Sequence, residues 1–199
     1  MLFLEILKSP FKYSKDMENA SIKDSLMLFG IEALVAVLTV VISLSILVRS
    51  LLNKISFFFV QDIPTKYYVT ISIILLVAIA IAMAIGSLII FGIKKISNKE
   101  ANFYEAMSLL SISLVWPSVI LPLCIVALLF GSFSINIIGI ILMLSVIIFA
   151  VNIYELLKLN NIGSGISLYI ASGMVIIYYG VIYGSIYLYA LQSFNGFSF

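Results

Sequence analysis

Residues 107–151 read MSLLSISLVWPSVILPLCIVALLFGSFSINIIGIILMLSVIIFAV, 45 residues without one charged side chain. A membrane helix needs roughly 20 mostly apolar residues, at 1.5 Å each, to cross about 30 Å of hydrocarbon. A single helix over this stretch would be far too long. Gly131-Ser132-Phe133-Ser134 supplies a turn of small polar residues, which divides the stretch into two crossings, Met107–Phe130 and Ser134–Val151. The same criterion finds three more, at Leu26–Val48, Tyr67–Ile93 and Ile166–Leu191. The expected fold is an all-α, polytopic helical bundle with five transmembrane helices.

Composition agrees. Of 199 residues 63% are apolar and 10% charged, against about 45–50% and about 25% in globular chains. Nineteen of the 20 charged residues lie outside the five runs, and Glu32 is the exception. A net charge of +2 without a basic face gives no basis for nucleic-acid binding. The single cysteine, Cys124, cannot form an intrachain disulfide. Met1–Pro10 lacks the basic stretch and cleavage site of a signal peptide, so the first span is expected to act as an uncleaved anchor.

Residues 1–25 read as a cytoplasmic amphipathic segment, 26–191 as one membrane domain and 192–199 as a short external tail. Leu2, Phe3, Ile6 and Leu7 share a helical face, and Ser21-Ile22-Lys23-Asp24 resembles a capping box before the first span. Phe57-Phe58-Phe59 suits the headgroup zone. With the N-terminus inside, Lys8, Lys12, Lys15, Lys23, Lys94, Lys95, Lys99 and Lys158 are inner, while Arg49, Lys54 and Lys66 are outer. That basic bias favours the N-inside orientation, and five spans then put the C-terminus outside.

Most catalytic chemistry lacks its residues. There is no histidine, which removes Ser/His, Cys/His and HExxH sites. Asp16, Asp24 and Asp62 all lie outside the spans, and no GxxxxGK[ST] phosphate loop is present. No enzymatic activity, metal or cofactor is expected. The expected partners are the lipid bilayer and either a membrane protein or a second copy of the chain.

Several residues stand out within the spans. Glu32 shares a face with Ala36, Thr39 and Ser43, and a carboxylate at mid-bilayer costs about 2.5–3.5 kcal/mol on insertion scales. The competing reading puts it at the inner interface. Trp116-Pro117 and Pro122 break the third span, freeing the carbonyls of Ser113 and Ser118. A kink is the simpler reading and a transport site the sharper one. Ala78, Ala82 and Gly86, and also Gly173, Gly180 and Gly184, form small-residue stripes, expected to pack inside the fold, with dimerisation as the alternative. Tyr179, Tyr183 and Tyr187 run beside Gly180 and Gly184, where their hydroxyls either bond across an interface or line a cleft. Asn160, Asn161 and Gly163-Ser164-Gly165 read as a turn.

Five spans in about 200 residues resemble the Yip (Ypt-interacting protein) family, whose kinked third span follows a short polar loop. Here Phe103-Tyr104-Glu105-Ala106 leads into Ser113-Leu114-Val115-Trp116-Pro117. Leu156-Leu157-Lys158-Leu159-Asn160-Asn161, then Gly165-Ile166-Ser167 and Ala171, are similar to the family's last loop and span. Ile6-Leu7-Lys8-Ser9-Pro10-Phe11 is similar to the entry of many bacterial members. The resemblance implies a membrane adaptor. Eukaryotic members engage Rab-type GTPases, and some prokaryotic ones accompany ABC-type exporters. An Ile- and Lys-rich, His-free chain points to a prokaryote's plasma membrane. The expectation is a scaffold or accessory subunit. The rivals are a small permease subunit, for which Glu32, the kink and the tyrosines would line a path, and an immunity or envelope-stress protein against membrane-active peptides.

Overall fold

The computed structural model describes residues 22–55, 65–97 and 102–195. Residues 1–21 of the expected N-terminal amphipathic segment, the Phe57–Phe59 run and the last four residues lie outside them. The described chain is helical, with no strand among the described residues: α1 (Ile22–Ile55), α2 (Thr65–Ile96), α3 (Phe103–Ile120), α4 (Leu123–Ala127), a 3-10 turn (Leu128–Phe133), α5 (Ser134–Leu159) and α6 (Ser164–Asn195). Among the described residues five stretches are long and apolar enough to cross a membrane: Lys23–Ser50, Thr65–Ile96, Phe103–Phe130, Ser134–Leu159 and Ser164–Tyr189.

These helices outlast the apolar runs at their ends. The largest difference is in α5, expected to stop at Val151 but continuing to Leu159. Asn152, Glu155 and Lys158 lower its hydropathy, yet Ile153, Leu156 and Leu157 sit in the core. The helix therefore continues as an amphipathic extension of its apolar span. The split of the long charge-free stretch lies where the small polar cluster put it, at the 3-10 turn before Ser134.

The third span is the centre of the bundle. α3 packs against α1, α2 and α5, and α6 closes the far side against α2 and α5. Twelve of the 18 residues of α3 are buried, so this helix has almost no face left for lipid. Lipid is as apolar as leucine, so small and polar residues rather than hydrophobic ones mark the inside of such a bundle. Ser25, Thr39, Ser87, Ser108, Ser111, Ser113 and Ser145 are buried, while Leu34, Leu38, Ile73, Val77, Leu88, Met143 and Ile147 face outward.

Helices approach closely at Gly86. A Cβ there would lie 2.6 Å from Leu110 Cδ2 and 2.9 Å from Met174 Cε. Ala78, Ala82 and Gly86 are all buried, on the face that α2 turns to α3 and α6.

Candidate functional site

At one end of the bundle the start of α1, the end of α2, the start of α3 and the α5–α6 turn come together. Lys94, in the last turn of α2, pairs with Glu105, in the first turn of α3. Both side chains are buried. Each charge opposes its own helix dipole, cation at a C-terminus and anion at an N-terminus. Asn102 caps α3, its side chain accepting from the Tyr104 N–H at 3.0 Å.

Lys94 also donates to Asn160 Oδ1 at 3.1 Å. That oxygen is positioned by the end of α5. The Ile162 N–H bonds to the Leu157 carbonyl at 3.1 Å and the Asn161 N–H to Lys158 at 2.9 Å. This is the Schellman pattern, with Asn161 at φ 57° supplying the left-handed residue that asparagine tolerates. Ile162 and Leu157, both in the core, add the usual hydrophobic contact. Two asparagines that read only as a turn therefore fix a ligand for the buried lysine.

A polar column starts from this end. The Ser25 and Ser108 hydroxyls bond to each other between α1 and α3, and Ser108 donates to the Tyr104 carbonyl at 2.9 Å. Glu32 is seven residues beyond Ser25, Ser87 seven before Lys94 and Ser111 six beyond Glu105. Each is thus about two turns, or ~10 Å, into the bundle. Glu32 is 3% exposed, and Ser87 and Ser111 are fully buried. Neither Glu32 oxygen has a hydrogen-bond partner, nor does the Ser87 or Ser111 hydroxyl. Tyr178 of α6 lies within electrostatic reach of Glu32. Glu32 lies nine residues, about two and a half turns, beyond Lys23, where the apolar span-length stretch of α1 begins.

Of the two expected breakers only Pro122 stands at an interruption, while α3 runs through Pro117 to Ile120. Pro117 is buried within α3, and the turn at Leu121-Pro122 separates α3 from α4. Asn152 Nδ2 donates to the Ser113 carbonyl, the one Pro117 frees, at 3.2 Å. Trp116 points outward at 38% exposure. Cys124 is a buried free thiol.

The glycines of α6 depart from the expectation of packing within the fold. A Cβ at Gly173, Gly180 or Gly184 would meet nothing within 4 Å, because this face of α6 turns away from α2 and α5. The tyrosine stripe divides accordingly. Tyr179 faces inward, its hydroxyl 3.2 Å from Ser145 Oγ, whereas Tyr183 and Tyr187 are exposed. Tyr178 packs on Phe149 with ring centroids 5.4 Å apart.

Comparison with known proteins finds no matching family model, no matching curated protein and no matching solved structure. The functional reading rests on the chain's own residues.

In the sequence Lys94 counts among the inner basic residues, and Glu105 belongs to the polar stretch that leads into the third span. The signal available was a lysine closing one apolar run and a glutamate opening the next across a short loop, a spacing that lets a helical hairpin bring the two together.

Proposed function

We propose that this chain is a non-enzymatic, Yip-like membrane scaffold or accessory subunit, working through lateral helix contacts with a membrane partner such as an export complex. It sits in a prokaryotic plasma membrane with its N-terminus inside and its C-terminus outside. The orientation draws on the basic bias of the inner segments.

The observation that carries the reading is the outward face of α6. Gly180 and Gly184 stand one turn apart with open space above them, flanked by the exposed rings of Tyr183 and Tyr187. Lipid tails cannot hydrogen-bond the two hydroxyls. Small residues allow a second helix to approach closely, and tyrosine hydroxyls can bond across that contact. Within the described chain nothing fills this groove.

The test is purification in mild detergent, comparing wild type with Gly184→Leu and with Ile186→Leu as control. The reading expects Gly184→Leu to lose the co-purifying partner or dimer while keeping the wild-type melting temperature. Equal recovery from both variants would refute it.

A further inference from the structure

Among the described residues the buried apolar side chains fall into two clusters that share no member. The larger draws on all five spans and takes in α3 as far as Val115 and α5 from Phe149 onward. The smaller is Cys124, Ala127 and Ile141, with Ile137 and Ile138 among the residues packed on it. It ties α4 to the first turns of α5. On the third span the boundary between the clusters falls at the two prolines, which the structure answers differently. The carbonyl that Pro117 frees is held by Asn152. Pro122 likewise has no N–H to return to Ser118, and beyond it the ladder tightens. The Cys124 N–H bonds to the Leu121 carbonyl at 2.9 Å and the Ile125 N–H to the Pro122 carbonyl at 3.0 Å, both three residues back. A short tightened stretch within a longer helix is a common mark of a hinge. From Leu123 to Phe130 only Cys124 and Ala127 are buried, while Leu123, Val126, Leu129 and Phe130 face outward. The segment packs mainly on α5, with α1 beside it. Few buried apolar contacts give a region low local stability.

We propose that Leu123–Phe133 is a hinged strap, which swings off α5 and α1 about Leu121-Pro122 while α3 stays packed in the larger cluster. The 3-10 turn before Ser134 supplies the second pivot. Two small side chains hold the strap down, Cys124 and Ala127, where α3 is held by twelve buried residues. Release uncovers those two and Ile141, an apolar surface at the end of the bundle away from Lys94. The strap does not depend on the open face of α6, so either reading can fail alone.

Cys124 is the only thiol in the chain and lies under the strap, so its alkylation reports release. The test treats the purified protein, in mild detergent and well below its melting temperature, with N-ethylmaleimide and follows the adduct by intact mass. Each rate is divided by that of the same thiol in protein denatured with sodium dodecyl sulfate. Wild type is compared with Ala127→Cys and with Ala106→Cys, the last two in a Cys124→Ser background. Ala106 is as well buried as the strap positions but belongs to the larger cluster. The strap predicts partial protection of Cys124 and of Ala127→Cys, and protection of Ala106→Cys stronger by about a hundredfold. Pro122→Ala returns an N–H to Ser118 and should slow Cys124 by about fivefold to tenfold. Cys124 protected as strongly as Ala106→Cys, or not protected at all, overturns the proposal. An unchanged rate in Pro122→Ala overturns the hinge. If Pro122→Ala does not accumulate, Ala127→Cys and Ala106→Cys decide alone, and equal protection of the two overturns it.

Discussion

The side-chain amide of Asn152 donates to the backbone carbonyl of Ser113 at 3.2 Å, the carbonyl that Pro117 deprives of its helical donor. A gap in the hydrogen-bond ladder of the central helix is thereby satisfied from α5. Asn152→Ala leaves that carbonyl bare in the interior, which costs about 1–3 kcal/mol. Pro117→Ala restores the N–H four residues on and removes the need for Asn152. Asn152→Ala should therefore cost clearly less in a Pro117→Ala background, read as a coupling energy in a double-mutant cycle by thermal unfolding. Additive effects would show that the two residues do not share this carbonyl.

Lys94 and Glu105 make a second cycle. Removing one partner leaves a buried, uncompensated charge and costs about 3–5 kcal/mol, so Lys94→Met and Glu105→Leu should each lower the melting temperature strongly. The double variant should recover most of the loss, since apolar replacement of both ions is often neutral or better. Asn160→Ala, which removes one acceptor from Lys94, should cost less than either single variant. A double variant as unstable as the sum of the singles would contradict the pairing.

Much of this architecture is legible in the residues because lipid crossing imposes a length. The five apolar runs, the turn before Ser134 and the prolines of the third span all follow from one-dimensional rules. What was not legible depends on which face of a helix turns inward. Hydropathy cannot say this in a membrane, where both faces are apolar. The stripes ending at Gly86 and at Gly184 look alike in sequence, yet one meets Leu110 and Met174 and the other meets nothing. Lys94 and Glu105 were likewise readable as loop charges until the ends of α2 and α3 were brought together. The position of Glu32 was narrowed by its Thr39 and Ser43 stripe, but its lack of a partner is a property of neighbouring helices.

The two glycine stripes give a contrast in stability. At Gly86 the groups a Cβ would strike are the far ends of flexible side chains, Leu110 Cδ2 and Met174 Cε, so Gly86→Ala should be tolerated with a small loss. Gly86→Leu exceeds what those ends can yield, and overpacking of this kind costs about 1–3 kcal/mol. Gly184→Leu, with open space around it, should leave the melting temperature of the isolated protein unchanged. Equal losses at Gly86 and Gly184 would remove the distinction between an inner and an outer face.

Orientation is tested across a single helix. Thr65 and Ser97 lie at opposite ends of α2 and its terminal turn, separated by about 48 Å of helix. In a Cys124→Ser background, Thr65→Cys should react with an impermeant maleimide on intact cells. Ser97→Cys should react only after permeabilisation. The reverse pattern would invert the proposed topology, and labelling of both from outside would rule out a crossing by α2.

The most direct measurement of the central claim is photo-crosslinking in native membranes from a photoreactive residue placed at Tyr183, on the open face of α6. The account predicts a discrete protein adduct, either a second copy of the chain or one defined partner, that disappears when Gly180→Leu or Gly184→Leu fills the groove and persists with Ile186→Leu. Adducts to lipid alone, or a protein adduct unaffected by the glycine substitutions, would contradict it.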